Sequence, residues 1–277
     1  MYDGDYRDAQ LSRDGLAAYS KHPLMRTVSI DRTFYAPIGE ADYARYASQV
    51  PDDFRFLIKA PMAITSPYLR SDSGEFSDSP VFLDVDYAIR ELVSPCSAGL
   101  GLKAGPLVFQ CPPLGRAFTN DPDIFINRLY RFLKALPHGP LYAVEVRDRE
   151  LLTDRFFKCL NVTGVRFCIA SHARMPAPGK QIELAHSMDA GPFVARWSLH
   201  SGFKYETAKA KYFPFNQLVD EDPDSRESLV QQSVITLAAG FPVYVVVNNK
   251  AEGSAPLSIG KFAQRFVEIS SNLQKRA

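Results

Sequence analysis

The sequence predicts an α/β fold made of repeated right-handed βαβ units, closed into a barrel or opened into a doubly wound sheet. Three observations carry this. Short β-branched and aromatic runs alternate with longer helical patterns along 277 residues. Several of the short runs are almost continuously apolar and turn polar only in their last one or two residues, as a strand covered on both faces does. Hydrophobic residues make up 46% of the chain and aromatic residues 12%, enough for a large core and incompatible with compositional disorder.

Taken in order, the first strand candidates are Arg26–Asp31 (RTVSID) and Phe54–Ala60 (FRFLIKA). The next stretch, Tyr68–Pro80, is too polar for a core element and is expected to be an elaborated loop after a strand. Pro106–Cys111 (PLVFQC) is the third strand. Asp121-Pro122 then reads as an N-cap with proline at the first helical position, and Pro137 ends that helix. Its apolar positions are Ile124, Phe125, Leu129, Phe132, Leu133 and Leu136. Strands follow at Tyr142–Arg147, Val165–Ala170 and Phe193–His200. The region from Gly202 to Arg226 is a second polar elaboration. A helix over Ser225–Ala239 is closed by Gly240 as a left-handed cap. Val243–Asn249 is the last strand, and Ile259, Phe262, Phe266, Ile269 and Leu273 recur on one face of a final helix. These helices read as core-facing, and no function is assigned to them. No repeat, low-complexity tract or linker divides the chain, so one domain over residues 1–277 is expected.

Lys plus Arg number 32 against 31 for Asp plus Glu, which argues against a general polyanion binder. Cys96, Cys111, Cys159 and Cys168 form no CxxC pair and have no histidine at metal-finger spacing. Cys111 and Cys168 lie in or beside apolar runs and read as buried thiols. No apolar stretch approaches the roughly 20 residues needed to span a bilayer, and the polar start MYDGDYRDAQ is no signal peptide. A cytoplasmic protein without a membrane partner is expected. The sequence names no cofactor or metal, and the oligomeric state stays open.

Four segments together resemble the domain-of-unknown-function 72 (YecE-like) family over most of the chain. They are RTVSIDRTFYAPIGEADYARYASQVPDDFRFLIKAPMAITS, GPLVFQCPP, YAVEVRDRELL, and ARWSLHSGFKY with PVYVVVNNKAEGSAP. The resemblance implies a TIM-type (β/α) barrel with any active site at the carboxyl ends of its strands. Departures accompany it. Ser29, with Asp31 two residues on, stands where much of the family has Glu, and Thr65-Ser66 where many members have a Thr-His pair. A GTS-x-W strand would precede the YDGDY segment, whereas this chain opens at Met1. Seven strands are therefore counted, not eight. The expectation is a barrel lacking its first strand, with unpaired edges that lower solubility.

In a parallel barrel the side chains at the carboxyl ends of the strands converge on one mouth. The polar residues there are Asp31, Lys59, Gln110, Glu145, Arg147, Arg196, His200, Asn248 and Asn249. Glu145 and Arg147 share a strand face and read equally well as a buried ion pair. Arg196 and His200 lie four apart, on one face if the strand is regular. Arginine suits a carboxylate or phosphate because its fork donates two parallel hydrogen bonds. His200 reads as a general base, a metal ligand or a satisfied structural histidine. Asn248-Asn249 is explained in part as a turn, and Trp197 as packing. No HExxH, GxSxG, P-loop or dinucleotide fingerprint occurs. Gly99, Gly101 and Gly105 open a strand, not a helix, and are no phosphate cradle.

The expected function is acid–base catalysis on a small anionic or polyhydroxylated substrate. Glu145 or His200 is the expected proton-transfer group, Arg196 and Lys59 the anion clamp, and Gln110, Asn248 and Asn249 orienting amides. Asp31 and Arg147 complete the lining. The alternatives are a protein that binds or processes nucleic acid, and a non-catalytic scaffold.

Overall fold

The computed structural model describes residues 15–70, 74–200 and 202–274; the YDGDY segment lies outside them. All seven expected strands form. They are β1 (Thr27–Ile30), β2 (Arg55–Lys59), β5 (Ala104–Gln110), β6 (Tyr142–Glu145), β7 (Arg166–Ala170), β8 (Phe193–Trp197) and β9 (Val243–Val247). They pair in the order β1-β2-β5-β6-β7-β8-β9, every ladder parallel. The two end strands, β1 and β9, lie beside one another without a ladder between them. The result is a nearly closed barrel of seven parallel strands with helices around it. The polar stretch after β2 forms an antiparallel hairpin of β3 (Tyr68–Arg70) and β4 (Phe76–Asp78).

The longer helices are α1 (Glu40–Ala47), α2 (Ser94–Leu100), α3 (Pro122–Ala135), α4 (Asp154–Thr163), α5 (Pro178–Leu184), α6 (Tyr205–Tyr212), α7 (Pro223–Ala238) and α8 (Ala255–Gln274). Their starts follow from capping chemistry. Asp121 accepts from the Asp123 N–H at 3.2 Å, Thr153 from Phe156 at 3.2 Å and Asp222 from Ser225 at 3.1 Å. Each bond satisfies an amide that the first helical turn leaves free. Helix α7 begins two residues before the expected Ser225 because Asp222-Pro223 repeats the Asp-Pro start of α3. Gly240 follows it with φ +84°, the left-handed stop expected there.

Alternation along the strands separates two cores. Phe56, Ile58, Leu107, Phe109, Val144, Phe167, Ile169, Ala195 and Trp197 face outward and are buried under the helices. The ring of Phe109 meets Phe132 of α3 edge-on at 5.0 Å, a geometry worth about 0.5–1.5 kcal/mol beyond burial. Trp197 is fully buried there, as packing. Leu57, Val108, Ala143, Cys168 and Val194 point the other way and fill the barrel interior with Tyr244 and Val246. Gly105 lets β5 run close to β2. A Cβ at that position would stand 2.6 Å from the Phe56 carbonyl oxygen.

The seam differs from the rest. All of β6 and β8 is buried, whereas every residue of β9 is only half-buried. Ile259, Phe262, Phe266 and Ile269 do form one face of α8, but they too stay half-buried.

Three expected boundaries need correcting. β6 ends at Glu145, not Arg147, and β9 at Val247, not Asn249, so Arg147, Asn248 and Asn249 lie just past their strands. β8 ends at Trp197, not at His200. The chain turns away because the Ser171 hydroxyl accepts from the N–H groups of Ser198 and Leu199, at 2.8 and 3.2 Å. Strand alternation therefore does not carry from Arg196 to His200.

Candidate functional site at the barrel mouth

Moving two residues along each strand from the apolar interior layer reaches the carboxyl ends. Leu57 gives way to Lys59, Val108 to Gln110, Ala143 to Glu145 and Val194 to Arg196. These share the interior face because side chains alternate with a period of two. Gln110 and Glu145 are register partners on β5 and β6.

Glu145 is the centre of this layer and has no exposed surface. Arg196 Nη1 donates to its Oε2 at 2.8 Å, and Arg147 forms an ion pair with its Oε1. The Cys168 thiol donates to Oε2 at 3.8 Å. Arg196 also reaches Asp31 through Nη2 at 3.5 Å. Asp31 is the exposed edge of the cluster, its side chain 52% accessible, and its Oδ1 accepts from the Ser29 hydroxyl at 2.6 Å. Lys59 places its ammonium 3.4 Å over the ring centre of Phe34.

The electrostatics are one-sided. Three cations (Lys59, Arg147 and Arg196) face two carboxylates, of which only Glu145 is buried. Arg147 Nη1 and Arg196 Nε are both buried and have no hydrogen-bond acceptor among the described residues. Burial pushes the Glu145 carboxyl up, but Arg147, Arg196 and Lys59 together hold it below its ordinary value. Burial, with the positive charge of Arg196, pushes Lys59 down to about 8. His172, two residues past β7, is pushed down to about 4 by burial and by Arg147, so its imidazole is neutral at pH 7.

The structure thus brings Asp31, Lys59, Gln110, Glu145, Arg147 and Arg196 to one mouth. His200 is placed differently. It lies past the end of β8 with its ring edge-on to Phe203 at 5.1 Å, beside the small cluster of Leu199, Ala208 and Tyr212. Asn248 and Asn249 perform turn work. Asn248 accepts from the Lys250 N–H at 3.0 Å, and Asn249 from the Ala255 N–H at 2.8 Å, at the start of α8.

Four contributors escaped the sequence reading. Phe34 and His172 each stand just beyond a strand end, and applying the strand-end rule past β1 and β7 would have found them. Cys168 is a buried thiol, as expected, but on the interior face against Glu145. Asp148, one residue past Arg147, is buried. It accepts from the Leu114 N–H at 2.7 Å and from Arg174 at 2.8 Å, so it ties two neighbouring loops around the mouth. Among the described residues no cluster of His, Cys, Asp and Glu has the makings of a metal site, and no helix is long and apolar enough to cross a membrane.

A family model described as protein of unknown function DUF72 matches residues 4–276. The crystal structure of a DUF72 family protein from Enterococcus faecalis V583 aligns with TM-score 0.63 at 15% identity, over 92% of this chain and 93% of that one. A second, from Thermotoga maritima MSB8, aligns with TM-score 0.56 at 17% identity, over 91% and 89%. At these identities the likeness is one of fold. No curated protein matches the chain.

Proposed function

The chain belongs to the DUF72 family, and we propose that it binds and transforms a small anionic molecule, a carboxylate or phosphate ester, in the mouth of its barrel. One observation carries this reading: among the described residues, buried guanidinium N–H groups of Arg147 and Arg196 lack acceptors in a layer where cations outnumber carboxylates. Leaving such groups unpaired is costly, and an anion would offset the cost with charge-assisted hydrogen bonds.

In this reading Glu145 is not the proton-transfer group. A carboxylate clamped by two arginines and held below its ordinary pKa is a weak base, and its work is to hold both guanidiniums in place. Proton transfer falls to Lys59, whose value near 8 is close to neutral pH. Asp31, at the exposed edge, and Gln110, buried beside Glu145, orient the ligand's polar groups. The cations lie inside the mouth, not along an outer face, which suits a small ligand better than a nucleic-acid backbone.

The test is calorimetric titration of inorganic phosphate and of pyruvate into the wild type and Arg196→Met. The wild type is expected to bind at least one of them, with the heat abolished in Arg196→Met. Heat of equal size in both proteins, or none in the wild type, contradicts the reading.

A further inference from the structure

We propose that Lys59 is a nucleophile that forms an imine with a carbonyl group on the bound anion, so that the substrates are oxo acids or phosphorylated aldehydes and ketones. This rests on the anion-site reading above and deepens it.

Arg147 and Arg196 are fixed by Glu145 and supply positive charge that cannot be neutralised at working pH. A third cation beside them adds repulsion and is not needed to hold one small anion. Lysine differs from arginine in the one respect that matters here, since it can release its proton and become an amine. The surroundings of Lys59 favour that release. The carboxylates of Asp31 and Glu145 are both engaged by arginines, and neither forms an ion pair with Lys59. Lys59 ends β2 on the interior face, partly buried, with its stem in the mouth. The Phe34 ring holds the side-chain tip at 3.4 Å and opposes the release through its attraction for a cation. The balance still falls toward the amine, with a value near 8. A lysine desolvated next to other cations is the recognised way to activate an amine nucleophile.

The step balances without a redox partner. The Lys59 amine adds to the carbonyl carbon, the carbonyl oxygen takes up protons and leaves as water, and a carbon–nitrogen double bond remains. Amine plus carbonyl gives imine plus water. Asp31, exposed and near Lys59, is placed to pass protons between the carbinolamine and solvent. The charged groups facing Lys59 are Asp31, Glu145, Arg147 and Arg196. Of these, the two arginines would hold the ligand's carboxylate or phosphate.

The experiment is reduction of the full-length protein with sodium borohydride in the presence of pyruvate or dihydroxyacetone phosphate, followed by peptide mass mapping. The expected result is a reduced adduct concentrated on Lys59 with at least one probe. It should be suppressed by excess inorganic phosphate and reduced about tenfold or more in Arg196→Met, the loss expected when one charge-assisted contact is removed. Lys59→Arg keeps the charge and the volume, so it should fold and still bind phosphate by calorimetry while giving no adduct at that position. Phosphate binding with adducts spread evenly over surface lysines overturns the imine and leaves the anion site standing. Absence of phosphate and pyruvate binding to the wild type overturns both.

Discussion

The barrel interior holds two layers that differ by two residues on the same strands, and they obey different physics. The lower layer, Leu57, Val108, Ala143, Cys168 and Val194, is small and apolar and is held by packing. The upper layer, Lys59, Gln110, Glu145 and Arg196, is charged or polar, buried except for the half-buried Lys59, and held by ion pairs around one carboxylate. Stability alone would favour apolar residues in both, because a buried ion pair is often replaceable by well-packed hydrophobic groups at no cost. On the proposed reading the upper layer keeps its charge to hold an anion, and mutations can test that split.

The largest effect should come from Glu145→Gln. Removing the carboxylate at the centre of the charged layer leaves two guanidiniums without their partner, which costs about 3–5 kcal/mol, read as a shifted urea midpoint. The sign with pH follows from the lowered value of Glu145. Its contribution is full above the ordinary carboxylate range, near 4.3, and is lost as pH falls through the folded value. Wild type and Glu145→Gln should therefore converge in acid. The triple replacement Glu145→Leu, Arg147→Met, Arg196→Leu sharpens the point. It should recover most or all of the wild-type stability while abolishing phosphate binding.

Leu57→Ala probes the lower layer. It should cost about 2–5 kcal/mol by leaving a cavity, yet phosphate affinity should stay within about twofold, because the site sits one layer away. An effect on affinity as large as that of Arg196→Met would erase the distinction between the layers.

A smaller effect concerns Lys59, lowered from its ordinary 10.5 to about 8. Between those values the folded state holds fewer protons than the unfolded, so stability rises with pH across that window. The cost of burying the ammonium is full below pH 8 and gone above 10.5. Lys59→Met should accordingly be more stable than the wild type at pH 7, with the advantage shrinking from pH 8 to 10.5. A constant difference would place Lys59 outside the charged layer.

The smallest effect distinguishes the sealed flank from the seam. β9 is half-buried and has no ladder to β1, so its amides and those of β1 should exchange with deuterium faster than those of β5 and β6. Equal protection would show the seam to be as well covered as the flank.

Much of this architecture was legible because it rests on local signals. Continuous apolar runs marked every barrel strand to within a few residues, and Asp121-Pro122 and Gly240 marked helix ends through chemistry confined to single turns. The charged layer was legible for the same reason: Lys59, Glu145 and Arg196 end such runs. What escaped depended on partners distant in sequence. The end of β8 is set by Ser171, 27 residues away, and no local pattern reveals that His200 falls off the strand. The ionisation of Glu145 was equally hidden, since it depends on Arg196, 51 residues on. Asn248 and Asn249 were expected to end the last strand but lie just past it, and their amides are drawn into capping contacts that only the fold of the following turn creates.

The most direct test of the central claim is a crystal structure of the wild-type protein grown with inorganic phosphate. The account predicts an anion in the mouth of the barrel, hydrogen-bonded to Arg147 or Arg196, with Lys59 adjacent and the guanidinium–Glu145 pairs intact. Phosphate bound only elsewhere, with both guanidiniums satisfied by protein atoms alone, would contradict it.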